Sequence, residues 1–279
     1  MSPDPVSAGT PAAEALIVAS WDFGDPDGSA TNFAELASAC TDPRTAALMR
    51  TQQARAVGLA GDFASAADLL AGLDVAPYAT DPAGLHLIAR HAIETGRVRN
   101  STGDPAGAEP FLETAERAAT AAGLAGLATD ARHMTAIAAG AQGDHVRAIE
   151  LTRAAIVAAA GSADPAATAW LGSLLNNLGW ELFDLGRLDE ALEQFSAAVD
   201  ARLAAGQLNR VAEARWAVGR TLRELGRTDE AIALQHELLS AAPNSGHVLA
   251  ELAELYRGRD DAAAAEFAAA SERILGSSR

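Results

Sequence analysis

A glycine-centred turn that recurs at a nearly constant spacing is the feature that most limits how this chain can fold. In each copy the Gly is followed by Asp or Arg, a short spacer and an apolar segment that contains Ala. Periods of roughly 20 to 50 residues are typical of proteins that stack one small unit many times. Five copies lie 42, 40, 43 and 40 residues apart, and a weaker sixth follows after 32, beginning at Gly61, Gly103, Gly143, Gly186, Gly226 and Gly258.

The segments on both sides of each turn have helical patterns. Before Gly186 the leucines fall on one helical stripe, and a second apolar helix of similar length follows the turn. The Gly is expected to supply the left-handed conformation that ends the first helix, while an acidic residue caps or charges the start of the next. The leucines are Leu174, Leu175, Leu178, Leu182 and Leu185, and the acidic residues are Asp144, Asp189 and Asp229.

Composition favours helices over sheets. Ala supplies 69 of the 279 residues, 49% of the chain is apolar and only 5% is aromatic. A helical hairpin cannot cover its own apolar face, so neighbouring hairpins must stack. The sequence therefore predicts an all-α fold, an α-solenoid of stacked antiparallel helical hairpins.

Two copies of the unit carry a more specific pattern of small and large residues. The copy from Gly172 has Leu175, Leu178, Gly179, Leu182, Ala191, Phe195 and Ala198, and the copy from Ala212 has Val218, Gly219, Leu222, Ala231, Leu238 and Pro243. On these residues the chain resembles the tetratricopeptide repeat family. Arg215 and Gln235 depart from the family pattern, and the copies from Ala47, Ala89 and Thr129 keep mainly the small residues Ala66, Ala108 and Ala148.

The resemblance implies a right-handed superhelix in which the first helix of each hairpin lines a concave surface. The period of about 40 exceeds the family's usual spacing of about 34, which predicts longer helices or wider loops. The small residues are expected where two helices approach closely, because larger side chains would overpack the interface. The predicted organisation is a disordered segment over 1–10, N-terminal capping helices over 11–43 with Ser29 as an N-cap, five to six repeats over 44–275, and a polar tail over 276–279.

Charge excludes some partners. The chain has no Lys, and 37 acidic residues against 21 Arg give a net charge of −16, so nucleic acid and anionic membranes are not expected to bind. The apolar run from Ala15 to Ala19 is too short for a signal peptide or a membrane span, and the single Cys40 cannot form an intramolecular disulfide. A cytoplasmic location is expected, and the composition is typical of a bacterial chain.

No catalytic or cofactor motif is present in the sequence. It has no phosphate-binding Gly loop, HExxH motif, nucleophile elbow or Cys pair. His86 and His91 are five residues apart, which places them on different faces of a helix and argues against a shared metal. We therefore expect no enzyme activity, no cofactor and no metal site.

The resemblance also indicates which side chains would face the concave surface, near the second, fifth, ninth and twelfth places of each unit. This set is rich in Arg and Asn and contains two of the four Trp residues, whereas the second helices collect Asp and Glu. Arg binds carboxylates, Asn holds peptide amides and Trp offers rigid apolar area. The set is Thr51, Gln52, Arg55, Arg90, Arg97, Asn100, Asp130, His133, Asn176, Asn177, Trp180, Phe183, Trp216, Arg220 and Arg223.

Ten of these residues are the predicted ligand-binding residues, and each has a structural alternative. The tryptophans could fill space between repeats, the asparagines could bond between repeats, and His133 could pack beside Met134. Three arginines, Arg97, Arg220 and Arg223, could pair with Glu94, Glu213 or Glu224. The predicted ligand-binding residues are Arg55, Arg97, Asn100, His133, Asn176, Asn177, Trp180, Trp216, Arg220 and Arg223.

Three functions fit these patterns. The first is a non-enzymatic interaction module that binds a peptide with an acidic group or a free C-terminus. The second is a regulatory sensor in which a small peptide or an anionic metabolite changes the curvature of the superhelix. The third is a self-associating structural scaffold, a homo-oligomer built through an incompletely capped end.

Overall fold

The computed structural model describes residues 10–79 and 81–276, and within these ranges every regular element is helical, with no β-strand. The predicted all-α fold is confirmed. Helices of up to 17 residues, together with longer connections after α4 and after α8, account for the long repeat period. The helices are α1 (Thr10–Ser20), α2 (Pro26–Ala39), α3 (Pro43–Leu59), α4 (Phe63–Ala71), α5 (Leu85–Ser101), α6 (Pro105–Ala121), α7 (Ala125–Ala141), α8 (His145–Ala160), α9 (Pro165–Thr168), α10 (Leu171–Asp184), α11 (Leu188–Ala204), α12 (Leu208–Glu224), α13 (Thr228–Ala241), α14 (Gly246–Tyr256) and α15 (Asp261–Gly276), with 3₁₀ turns at Ala76–Tyr78 and Pro82–Gly84.

The helices form two compact units, which divide between Thr168 and Ala169. In unit 1 the antiparallel hairpins are α3 with α4, α5 with α6, and α7 with α8, and α2 packs on α3. In unit 2 the hairpins are α10 with α11, α12 with α13, and α14 with α15. Each unit is thus a stack of helical hairpins, as the α-solenoid class requires.

The six repeated glycines all have positive φ, from 71° at Gly186 to 96° at Gly61. At one of these turns the amide of Gly103 donates to the carbonyl of Asn100 and that of Asp104 donates to the carbonyl of Arg99, which closes the end of α5. The carboxylate of Asp104 then accepts from the amide of Gly107 at 2.9 Å and caps α6. The predicted role of these glycines in ending the first helices is confirmed.

Other glycines allow the two helices of a hairpin to approach closely. A Cβ atom added at Gly179 would lie 2.5 Å from the ring of Phe195, and one added at Gly96 would lie 2.6 Å from Leu112. Gly219 is covered in the same way by the fully buried Gln235. The predicted need for small residues at these contacts is therefore met by the packing.

The N-terminal helices differ from the prediction in their bounds. The second begins at Pro26, and its N-cap is Asp25, whose side chain accepts from the amide of Gly28. The predicted N-cap at Ser29 is wrong, because Pro is well suited to a first helical turn that starts just after Asp25. Ser29 lies inside α2, buried, and its hydroxyl donates to the carbonyl of Asp22.

The predicted domain bounds stay a prediction. The first nine residues of the expected disordered segment and residues 277–279 of the expected tail lie outside the described residues, whereas Thr10 begins α1 and Gly276 ends α15. The first of the expected capping helices, α1, stops at Ser20, and a turn follows it. No helix within the described ranges has both the length and the apolar character that crossing a membrane requires.

Candidate functional site

The predicted site residues lie on the first helices of the hairpins, which we call the first-helix face of each unit: α3, α5 and α7 in unit 1, and α10, α12 and α14 in unit 2. In unit 1, Arg55 lies on α3, Arg97 and Asn100 on α5, and His133 on α7. In unit 2, Asn176, Asn177 and Trp180 lie on α10, while Trp216, Arg220 and Arg223 lie on α12. The side chains of the two faces have different kinds of partner.

The arginines of unit 1 belong to a largely buried ion network. Arg97 donates from Nε to Glu94 at 3.0 Å and from Nη2 to both carboxylate oxygens of Asp130 at 3.1 Å. Nη1 of Arg55 lies 3.7 Å from each of the same two acidic side chains. Glu94 and Asp130 are almost fully buried, so the network pairs two positive with two negative charges away from water.

The electrostatics of the network follow from that pairing. Burial by itself would raise the pKa of Asp130, but the neighbouring charges of Arg97 and Arg55 lower it below the ordinary value. The pKa of Arg97 is raised in turn, because the charges of Asp130 and Glu94 outweigh its desolvation. Asp130 therefore stays ionised, and these arginines already have acidic partners. The pairing of Arg97 with Glu94, which the sequence left open as an alternative, is present.

The chain's own N-terminal segment occupies another part of this face. Glu14 on α1 accepts two hydrogen bonds from Nη2 of Arg90, at 2.6 and 2.7 Å, and also contacts Nε2 of the buried His86. Burial opposes ionisation of this carboxyl, but hydrogen bonds from His86 and Arg90 together with their charges lower the pKa of Glu14 to about 2. A carboxylate from 76 residues earlier in the chain thus fills one of the predicted concave positions.

The turn after α1 covers two further predicted concave residues. The indole Nε1 of Trp21 donates to the side-chain oxygen of Gln52 at 3.1 Å. The guanidinium of Arg55 lies 5.6 Å from the ring of Trp21 and 5.8 Å from the ring of Phe23, distances that allow cation–π contacts. Glu14, Trp21 and Phe23 therefore make the kinds of contact that a bound peptide was expected to make.

Two other predicted residues of unit 1 lie on α7 and α5. His133 is buried on α7, one turn after Asp130, and Asn100 lies near the end of α5. The side-chain oxygen Oδ1 of Asn100 is buried and has no hydrogen-bond partner among residues 10–79 and 81–276. The predicted roles of His133 and Asn100 in ligand binding stay predictions.

On unit 2, Arg220 is surrounded by aromatic rings rather than by carboxylates. Its guanidinium carbon lies 5.6 Å from the rings of both Trp180 and Trp216 and 5.5 Å from the ring of Phe183. Within residues 10–79 and 81–276 it has no ion pair or hydrogen bond, and its Nε atom is buried without a partner. The expected alternative for Arg220, an ion pair with Glu213, is absent because Glu213 lies 3.4 Å from Arg202 instead.

The two tryptophans hold this arrangement together. Trp180 packs edge-on against the buried ring of Phe195 at 4.9 Å and lies 6.0 Å from Trp216. Trp216 donates from Nε1 to the carbonyl of His247 at 3.2 Å. Both rings are only half-buried, so they support the packing between hairpins and also present apolar surface around Arg220.

The other predicted residues of unit 2 have different surroundings. Arg223 contacts the buried Glu251 through Nε and Glu224 through Nη1 at 3.0 Å, so it already has acidic partners. Asn176 lies one helical turn before Trp180 and is 6% exposed, and its buried Oδ1 has no hydrogen-bond partner in the described part of the chain. Asn177 is half-buried on the same helix. The structure thus brings Asn176 and Trp180 onto one side of α10.

A cavity of about 350 Å³ lies beside Trp216. Leu238 and Val248 make part of its apolar lining, and Glu213 and His247 lie at its polar edges. A volume of this size accommodates one or two side chains of a ligand. Within the described ranges, no group of three or more His, Cys, Asp and Glu side chains is arranged to hold a metal ion.

Sequence reasoning missed the residues outside the repeats whose side chains pair with polar groups of unit 1. Glu14 lies in a segment without periodicity, and so does Trp21. Glu251, which binds Arg223, gave no signal either, because an acidic residue on a helix is usually solvated. Phe183 was expected on the concave surface from its spacing to Trp180, and it does contact Arg220.

Stacked helical hairpins with polar and aromatic first-helix faces define an α-solenoid repeat protein. A sequence profile described as tetratricopeptide repeat matches residues 172–204 and 212–245. No curated protein sequence matches the chain significantly.

Several solved structures share the fold. BtubC (BKLC) from P. vanneervenii superposes with a TM-score of 0.62 at 17% identity, over 78% of this chain and 89% of that one. Pseudomonas aeruginosa pilF gives a TM-score of 0.55 at 18% identity, over 68% and 78% of the two chains. MamA (41-end) from Desulfovibrio magneticus RS-1 gives 0.51 at 17% identity, over 68% and 96%. The profile matches mark two tetratricopeptide repeats in unit 2, and the structural likenesses show that most of the chain has the same fold as these solved proteins.

Proposed function

We propose that this chain is a non-enzymatic protein-interaction module that binds a peptide segment with an acidic group or a free C-terminus on the first-helix face of unit 2. The tetratricopeptide repeat fold itself suggests a protein–protein interaction module. The residues that would bind the ligand are Arg220, Trp180, Trp216 and Asn176.

The observation that carries the proposal is the state of Arg220. A guanidinium presents five N–H donors, and aromatic rings engage its faces but do not accept in-plane hydrogen bonds as a carboxylate does. With three rings around it and no acidic partner within the described residues, Arg220 retains its capacity for a bidentate carboxylate contact. The rings hold the side chain in place, so little rotamer entropy is lost when a ligand binds.

The surroundings of Arg220 fit a peptide better than a bare anion. The cavity next to Trp216 can take an apolar side chain of the ligand. No donor among the described residues reaches the side-chain oxygen of Asn176, so a ligand N–H could supply one. Together these groups offer a carboxylate site, an apolar site and an acceptor for a backbone amide.

The experiment uses two matched libraries of random octapeptides, one with a free C-terminal carboxylate and one amidated. Each is captured on the immobilised full chain, and enriched peptides are labelled with fluorescein and titrated by anisotropy. We expect the free-carboxylate peptides, or amidated peptides rich in Asp and Glu, to be enriched. Arg220→Gln should weaken binding at least tenfold, because a charged hydrogen-bonded contact is lost.

The matched control is Arg257→Gln, which removes the same charge from an exposed side chain of unit 2. It should leave binding within about twofold of the wild type, and neither variant should change the melting temperature by more than 2 °C or so. Equal losses in both variants would show that only overall charge matters. Enrichment of neutral amidated peptides to the same extent as the others would overturn the proposed chemistry.

A further inference from the structure

The N-terminal segment of unit 1 does more than end a stack of repeats. A capping helix needs to contact only the first hairpin, and α2 does this by packing on α3. In contrast, α1 crosses to α5, where Glu14 meets Arg90 and His86. The segment therefore lies along the first-helix face, the side of the hairpins on which ligands were expected.

The contacts of this segment form a complete recognition pattern for a short helix. Ala13 and Ile17 are buried in an apolar cluster with residues of α3 and α5, including Leu48 and Leu87. Glu14, on an adjacent side of the helix, is held by a guanidinium and an imidazole. The turn then places Trp21 against Gln52. Side chains of α3 and α5 thus contact three features of the segment, namely its buried apolar residues, one carboxylate and one aromatic ring.

The segment is attached on one side only. A cavity of about 800 Å³ separates α1 from the start of α7 and from the turn that contains Asp164. The side chain of Val18 borders this cavity and is 72% exposed. A helix of 11 residues is marginally stable in water without its contacts, so α1 can leave its position without the stacked hairpins having to come apart.

We propose that the first-helix face of unit 1 is a second interaction surface, specific for a largely apolar helix that carries one carboxylate, and that the segment from Ala12 to Phe23 is its built-in, displaceable occupant. The partner that displaces it has the same chemistry, with a carboxylate, an apolar residue three positions later and an aromatic residue after the helix. This surface differs from the one proposed on unit 2, and neither proposal depends on the other.

The tethered segment competes with any added peptide for the surface, so the test must take its effective concentration into account. A short tether gives an effective concentration on the order of millimolar. A free peptide of identical sequence at ~10 μM would then occupy only about 1% of the wild-type surface. The surface becomes measurable when the resident segment is weakened but the surface itself is unchanged.

Glu14→Lys is the variant that does this, because it places a positive charge beside Arg90 and His86 without altering the face. The probe is a fluorescein-labelled peptide of residues 12–23, measured by anisotropy with the full chain. We expect at least tenfold tighter binding to Glu14→Lys than to the wild type. The same peptide with Gln at the position of Glu14 should bind the variant at least tenfold more weakly than the parent peptide.

Two controls distinguish displacement of the segment from a general loss of packing in unit 1. Glu35→Lys makes the same charge change at an exposed position of α2 and should bind the probe as weakly as the wild type. The double variant with Glu14→Lys and Arg90→Glu restores an ion pair of reversed polarity and should again exclude the probe. Equal binding to the two single Lys variants, or no binding to Glu14→Lys when it is folded, would overturn the proposal.

Hydrogen exchange on the wild-type chain gives a test that needs no variant. If α1 opens independently, its amides exchange at least tenfold faster than the central amides of α3, on which it packs. Exchange of α1 at the same rate as α3 would place both helices in one cooperative unit and would overturn the proposal even if Glu14→Lys failed to fold.

Discussion

The two first-helix faces start from similar residue types and reach different states. On unit 1 the arginines Arg55, Arg90 and Arg97 are met by the carboxylates of Glu14, Glu94 and Asp130, so the expected excess of positive charge is cancelled. On unit 2 Arg220 is left with aromatic neighbours. A count of arginines on a face therefore does not indicate its charge, because buried carboxylates of the same face and one carboxylate from α1 neutralise them.

The largest expected effect concerns the buried network of unit 1. Asp130→Ala should lower the free energy of unfolding by about 3 to 5 kcal/mol, because it leaves Arg97 and Arg55 buried with only Glu94 to compensate them. Urea denaturation followed by circular dichroism measures the loss. Removal of Asp229, an exposed acidic residue of unit 2 paired with Arg259, is the control and should cost below about 1 kcal/mol. Equal losses of unfolding free energy in the two variants would show that the buried network of unit 1 is no more stabilising than an exposed ion pair of unit 2.

The next effect is a pH dependence that belongs to unit 1. The pKa of Glu14 is lowered from 4.5 to about 2 in the folded chain, so its stabilising contribution is present above about pH 4.5 and disappears as the pH falls towards 2. A shift of this size corresponds to roughly 3 kcal/mol. Thermal unfolding of wild type and Glu14→Gln should therefore differ most at neutral pH and converge near pH 2. A constant difference across this range would contradict the assignment.

A smaller effect compares two glycines. Gly179→Ala in unit 2 should cost about 1 to 3 kcal/mol, because the new Cβ would lie 2.5 Å from the ring of Phe195, which cannot move aside easily. Gly58→Ala in unit 1 has its nearest neighbour at 3.7 Å, so it should stabilise by about 0.5 to 1 kcal/mol through helix propensity. Thermal melts of the two variants test both signs, and destabilisation by Gly58→Ala would show that the packing around α3 is tighter than described.

The smallest effect is expected at the proposed binding residue itself. Arg220→Ala should change the free energy of unfolding by less than about 1 kcal/mol, since it removes only partly exposed cation–π contacts. The same measurement on Arg97→Ala should show a loss of several kcal/mol. If the two variants were equally destabilised, Arg220 would be a structural residue.

The sequence could predict the repeating parts of the molecule and not the contacts between distant segments. Turn glycines such as Gly103 act through their own backbone conformation, so their spacing was sufficient to place the hairpins. The neutralisation of Arg90 by Glu14 depends on where α1 docks, and no period relates these two residues. Ser29 shows a local error of another kind, because Asp25 competes for the same capping role and the Pro after it favours the earlier start.

The turn glycines have a consequence for how this chain tolerates sequence change. At Gly61, Gly143 and Gly226 no atom of a described residue other than the two chain neighbours lies within 4 Å of the place a Cβ would take, so replacement strains only one residue's backbone, by roughly 1 to 2 kcal/mol. Such damage stays within one bend and adds up in proportion to the number of bends altered. Substitutions at these turns should therefore lower the free energy of unfolding in small steps. A single substitution in the interior is expected to cause a large loss at once.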